Sequence, residues 1–258
     1  MNYYVVDAFA DALFEGNPAG VCALNEWPSD ERMQQIAAEN NLSETAFFVK
    51  EGDGYRLRWF TPAEEIDLCG HATLASAYVI RQFLSPSSDP VTFYTQSGIL
   101  TVRPQGDLLE LDFPVREPVP ADCPPTLAEA LGAEPLEIHL YRDLLIRVKD
   151  SDTVANLRPN MDALRRISGC KGFIVTAEGH DFDFVSRFFA PELGVPEDPV
   201  TGSSHCVLVP YWAKRLQKTR LVARQLSRRG GTLFCQLADG RVRIAGRAVL
   251  YLKGEIFV

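Results

Sequence analysis

The sequence lacks the residue spacings that build metal centres and disulfide frameworks. Its six cysteines, Cys22, Cys69, Cys123, Cys170, Cys206 and Cys235, include no CxxC pair, so free thiols in a reducing compartment are expected. The four histidines offer neither HxxxH nor HExxH, and no protein-built metal site is expected. No run approaches the roughly 20 apolar residues that span a bilayer. The opening Met1-Asn2-Tyr3-Tyr4-Val5-Val6-Asp7 has no basic start and reads as a first strand, not a secretory leader. A soluble cytoplasmic protein without a membrane partner is expected. Positive charge is scarce too, with 26 Lys and Arg against 34 Asp and Glu. That balance speaks against nucleic acid as a partner, because phosphate binding needs a basic footprint. Residues 213–229 are the exception, holding Lys214, Arg215, Lys218, Arg220, Arg224, Arg228 and Arg229 and no acid. Taking those seven from the 26 leaves 19 basic residues against 34 acidic ones elsewhere. A solvated helix face running into a basic strand accounts for the segment; a patch that draws in small anions is the other reading. A phosphate loop is missing as well. Gly16-Asn17-Pro18-Ala19-Gly20 lacks the Lys-Ser/Thr and GxGxxG spacings and is read as a turn between two strands.

What is present is a diverged duplication. In the first half a capped helical stretch, Ser29–Asn41, leads to Ala46-Phe47-Phe48-Val49, then Arg58-Trp59-Phe60-Thr61-Pro62, then Cys69-Gly70-His71-Ala72-Thr73. In the second half, 160–170 leads to Gly172-Phe173-Ile174-Val175, then Arg187-Phe188-Phe189-Ala190-Pro191, then Thr201-Gly202-Ser203-Ser204-His205. From Arg to Gly the spans are 12 and 15 residues, so the second copy carries an insertion. A shared order of elements over such a length marks a repeat. The proline-rich stretch 114–125 suits a linker, which divides the 258 residues into 1–117 and 118–258.

Most of the remaining pattern alternates with the period of a strand. Runs at 3–9, 55–60, 91–95, 99–103 and 108–113 are matched later by 137–141, 144–149, 182–189, 233–237, 242–245 and 249–252. Each half also has one helix that is apolar on nearly every side, 71–83 and 204–215. Such a helix must be surrounded by protein. The simplest solution is α+β: two pseudo-symmetric lobes, each a barrel-like, mostly antiparallel sheet wrapped around a central apolar helix. Pro210 falls inside the second helix and conflicts with its regular hydrogen bonding.

Both apolar helices start at a glycine, Gly70 and Gly202. A helix N-terminus presents unpaired N–H groups and a partial positive charge, which suits a carboxylate or a developing oxyanion. Facing lobes would direct both starts into one cleft able to stabilise an enolate-like charge. Glu44, between a helix end and an apolar strand, is placed to serve as an acid or base there; the second half has Cys170-Lys171-Gly172 in that place. Asp198 sits in the inserted loop before the second helix, and His71 is the first side chain of the first helix. Taken singly, these residues would equally suit a cap, a turn or a solvated surface.

Five stretches make the chain resemble the PhzF-like (phenazine biosynthesis isomerase-like) family, which shares the diaminopimelate epimerase fold. They are DAFADALFEGNPAGVCAL (7–24), NLSETAFF (41–48), RWFTPAEEIDLCGHATLASAYV (58–79), RFFAPELGVPEDPVTGSSH (187–205) and ARQLSRRGG (223–231). The resemblance implies isomerisation by proton movement without a cofactor, commonly in a homodimer. It implies Glu44 as the proton shuttle, with His71, Asp198 and Ser203 on the substrate and Gly70, Gly202 and Thr201 completing an anion pocket. It departs from diaminopimelate epimerase itself, which uses two facing thiols: Cys69 holds the first place and Thr201 the second. The leading expectation is a cofactor-independent isomerase acting on a small carboxylate-bearing metabolite. An amino-acid epimerase using Cys69, and a non-catalytic binding protein of the same fold, are the alternatives.

Overall fold

The computed structural model describes residues 1–258 apart from residue 88. The chain is a mixed α+β protein dominated by strands, and its contacts group it into two compact units. One comprises Met1–Asp112 with Ala245–Val258, the other Phe113–Ile244.

The first unit opens with β1 (Asn2–Ala8), β2 (Asn17–Leu24), α1 (Asp30–Asn40), β3 (Glu44–Glu51) and β4 (Gly54–Phe60). It continues with β5 (Glu65–Ile66), α2 (Gly70–Val79), β6 (Val91–Thr95), β7 (Gly98–Gln105) and β8 (Leu108–Pro114). Ser29 caps α1 by accepting from the Arg32 N–H at 3.2 Å, with Asp30 and Glu31 favourably placed in the first turn. β1 pairs antiparallel with β2, β2 parallel with β3, β3 antiparallel with β4, β4 parallel with β6, and β6 antiparallel with β7. Each parallel pairing needs a crossover, and α1 and α2 supply the two. That explains the composition of α2: it lies against β1, β2 and β3, and every residue from His71 to Val79 except Tyr78 is buried. The α-helical part ends at Val79, short of the expected 83, and the chain continues as a wider π-helical turn to Leu84, closed by the Ser85 N–H on the Ile80 carbonyl at 2.8 Å.

The second unit contains β9 (Val119–Pro120), α3 (Leu127–Leu131), β10 (Glu137–Leu140), β11 (Leu144–Arg147), α4 (Ser151–Asn156) and α5 (Met161–Arg165). β12 (Phe173–Glu178), β13 (Phe184–Ala190), β14 (Val195–Asp198), α6 (Gly202–Leu216), β15 (Arg220–Gln225), β16 (Gly231–Ala238) and β17 (Arg241–Gly246) follow. The same succession of pairings recurs: β10 antiparallel to β11, β11 parallel to β12, β12 antiparallel to β13, β13 parallel to β15, β15 antiparallel to β16. α5 is shorter than the helix expected over 160–170. Pro210 is accommodated within α6, because the Cys206 carbonyl that its missing N–H would have bound receives the Arg116 backbone N–H at 3.1 Å. Trp212 anchors the helix by stacking on Phe184 (5.8 Å between centroids) and donating to Thr176 Oγ1 at 2.9 Å.

Two expectations need correction. β18 (Ala248–Glu255) pairs antiparallel with β1, so the last stretch of chain belongs to the first unit, and the division falls at 112/113 rather than at 117. Only Gly16 of the 16–20 segment is a turn residue: its φ is +66° and a Cβ there would meet the Ala8 carbonyl oxygen at 2.2 Å. Asn17 to Gly20 already belong to β2. The basic segment is, as expected, a solvated helix end running into β15: Lys214, Arg215, Lys218 and Arg220 are exposed, with Lys218 paired to Asp183 at 2.5 Å and Arg215 to Glu137 at 3.0 Å.

Candidate active site

Four residues converge at the start of α2, delivered by three pieces of the first unit. Asn17 opens β2 and Glu44 opens β3, two parallel neighbours with Ala19 opposite Glu44. Cys69 is the N-cap of α2 and His71 its second residue. His71 Nε2 lies 3.1 Å from Glu44 Oε2, off the alignment of a good hydrogen bond, so the contact is chiefly electrostatic. Its other nitrogen, Nδ1, meets the Asn17 amide at 3.3 Å and the Cys69 sulfur at 3.5 Å. The imidazole is almost wholly buried, whereas the Glu44 side chain keeps 17% of its surface. Glu44 is thus the member of the group that solvent, or a ligand, can reach.

The electrostatics favour a charged His71. Burial opposes charge on the ring, but its contacts with Cys69 and Glu44 outweigh burial and hold His71 well above the ordinary histidine range. Cys69 moves up as well, first through burial and then through the Glu44 charge, although His71 pulls the other way. Near neutral pH Cys69 is therefore a thiol, a weak nucleophile, and the anion that His71 faces is Glu44. Ligand atoms of Glu44, Cys69 and His71 lie within 4.8 Å of one another, a spacing that could hold a metal ion. The ring argues against sharing one ion: Nε2 faces Glu44 and Nδ1 faces Cys69, so an ion in plane with either nitrogen leaves the opposite ligand behind the imidazole.

In the second unit Asp198 ends β14 and Thr201 is the N-cap of α6. Thr201 Oγ1 donates a short hydrogen bond to Asp198 Oδ2. Gln225, fully buried at the end of β15, ties the turn together. Its Oε1 accepts from the Thr201 N–H at 2.9 Å and its Nε2 donates to the Asp198 carbonyl at 2.7 Å. Gly202 is buried and Ser203 half-buried. Neither α2 nor α6 has a side-chain cap on its first turn, so backbone N–H groups at both starts remain for other acceptors. Sequence reasoning missed two residues. Asn17 was assigned to a turn, and Gln225 lay in a matching stretch without a role. A buried polar side chain at a strand end was the available signal for Gln225.

The sequence matches the family described as phenazine biosynthesis-like protein over residues 6–254. The chain belongs to that family. An uncharacterized isomerase of Pseudomonas aeruginosa is 52% identical, over 99% of this chain and 98% of its own. A crystal structure of a PhzF-family phenazine biosynthesis protein from Enterococcus faecalis superposes with a TM-score of 0.98 at 50% identity, covering 100% of this chain and 99% of that one. At 11% identity and a TM-score of 0.65, a probable proline racemase from Agrobacterium radiobacter K84 shares the fold, covering 100% of this chain and 93% of its own. Like its relatives, this member of the phenazine biosynthesis-like family is an isomerase. Among the described residues, no helix is long and apolar enough to cross a membrane.

Proposed function

We propose that this isomerase moves a carbon-bound proton on a small carboxylate-bearing metabolite, with Glu44 as the single acid and base. The observation that carries the reading is the Glu44–His71 contact at 3.1 Å. A carboxylate beside a buried imidazolium is held in one orientation, placed to abstract a proton and return it elsewhere on the same molecule. One general acid/base contributes roughly 10²–10⁴-fold, so the developing negative charge needs its own stabilisation. The uncapped start of α2 at Gly70 and the His71 charge supply it. Asp198, Ser203, Thr201 and Gly202 are assigned to the polar groups of the substrate. Sheets wrapped around α2 and α6, in two epimerase-like lobes, are the architecture this reading assumes. Cys69 takes no part, because its thiol is buried and protonated.

The test is incubation in heavy water with a panel of amino acids and cyclic hydroxy or amino acids, read by mass spectrometry. An isomerase of this kind introduces deuterium at carbon in at least one compound. Thermal stabilisation by a panel member with no label uptake in any compound would instead establish a binding protein.

A further inference from the structure

The two units share more than their strand order: each holds the approach to its uncapped helix by the same pair of anchors. In the second unit Arg187, on β13, reaches Glu197 on β14 with two hydrogen bonds, Nε to Oε1 at 2.6 Å and Nη2 to Oε2 at 3.0 Å. Its Nη1 donates to the Val154 and Leu157 carbonyls at the end of α4, and the guanidinium lies 4.9 Å from the Phe189 ring centroid. In the first unit Arg58, on β4, holds Glu65 on β5 through Nε and Nη2, both at 2.7 Å, and sits 5.2 Å from the Phe60 centroid. The second anchor is a serine. Ser227 Oγ donates to the Pro199 carbonyl and Ser97 Oγ to the Asp67 carbonyl, each at 2.8 Å and each two residues past the clamped glutamate.

Spacing shows which part of this device the duplication has kept. From arginine to glutamate the copies differ, seven residues against ten, so the insertion falls there. From glutamate to N-cap they agree: Glu65 to Cys69 and Glu197 to Thr201 are both four residues. Asp198 therefore lies downstream of the insertion, not within it, on the segment of fixed length. Glu197 and Asp198 are successive strand residues, so their side chains leave opposite faces. The clamp grips one face and leaves Asp198 on the other.

We propose that Arg187, Glu197 and Ser227 are positioning residues that fix Asp198 and the first N–H groups of α6 for substrate. This rests on the substrate-binding role assigned to Asp198. The test uses no substrate, so a failure of the clamp is distinguishable from a failure of that role, which deuterium uptake by Asp198→Asn reads separately. In protein labelled with ¹³C-aspartate, Ser227→Ala is expected to shift the Asp198 carboxyl resonance and to speed amide exchange at Thr201, Gly202 and Ser203 about tenfold, leaving β11 amides unchanged. Ser227→Thr restores both signals. Arg187→Lys, which keeps charge but loses the two-toothed contact, is expected to do the same as Ser227→Ala. If Arg187→Lys fails to fold, Ser227→Ala decides alone. Unchanged exchange and an unmoved Asp198 resonance in the folded variants would overturn the proposal.

Discussion

The starts of α2 and α6 are the two regions whose comparison teaches most. They share an extended N-cap, a clamped approach and a free first turn, yet they carry different chemistry. The pairing register shows how. Thr45 lies opposite Phe60 and Phe173 opposite Phe189, so the residue in line with Glu44 is Gly172. A Cβ on Gly172 would meet the Phe188 ring at 2.6 Å. The second unit has filled the space of the carboxylate with an aromatic ring, and the first has placed Ile66 where the second has Asp198. The buried histidines of the two helices, which hold different positions in the repeat, differ too. His71 faces an anion and is pushed up, whereas burial pushes His205 down to about 4, against the small upward pull of the Thr201 carbonyl. One framework thus holds a buried histidine–carboxylate pair in one copy and a turn carrying Asp198 in the other.

Breaking the clamps should show how unequal the copies have become. Arg187 is 9% exposed with Glu197 at 23%, while Arg58 is 20% exposed and shares its charge with Asp30, which is 77% exposed. Arg187→Ala should cost about 3–5 kcal/mol in urea unfolding, because it strands a partly buried glutamate and two carbonyls. Arg58→Ala should cost less, about 1–2 kcal/mol, since its second partner is the exposed Asp30 where Arg187 holds two backbone carbonyls, although Glu65 is as buried as Glu197. Equal losses would mean the clamps are equivalent. A smaller effect separates the histidines by pH. An unfolded histidine titrates near 6.5, so the stability gained by keeping His205 neutral is complete above that value and is lost as pH falls towards 4. Between pH 7 and 4.5 that loss is about 2 kcal/mol, and His205→Asn should flatten it. His71 contributes in the opposite sense: its stabilisation is present below 6.5 and disappears as pH rises through its raised folded value. The smallest effect is expected at Gly172→Ala, about 1–2 kcal/mol, because the Phe188 ring must shift but can do so. A neutral or stabilising result there would show that Glu44 lacks a counterpart for reasons other than space.

Much of this was legible in the sequence because period and motif encode it. The Arg-aromatic-Phe-x-Pro repeat located β4 and β13, and the apolar runs after Gly70 and Gly202 located α2 and α6. The grouping of Glu44 with His71 followed from family resemblance and not from spacing, since 27 residues separate them. Long-range pairing hid the rest. The return of β18 to β1 depends on hydrogen bonds between opposite ends of the chain, and no local pattern in residues 248–255 names its partner. Asn17 looked like a turn residue because Gly16 and Pro18 flank it, yet it opens β2 and faces His71. Motif order alone matches Phe47 to Phe173, whereas the strand register slides that pairing by two, so Phe47 matches Val175. A shift of two keeps every side chain on its own face, which is why apolar pattern alone did not detect it.

The most direct measurement is deuterium uptake at carbon by the wild-type enzyme, Glu44→Gln and Asp198→Asn, run side by side on a compound that the wild type labels. The account predicts uptake lowered at least a hundredfold in Glu44→Gln, with the compound still protecting that variant against thermal unfolding. It predicts persistent but weaker-binding turnover in Asp198→Asn. Undiminished labelling in Glu44→Gln would contradict it.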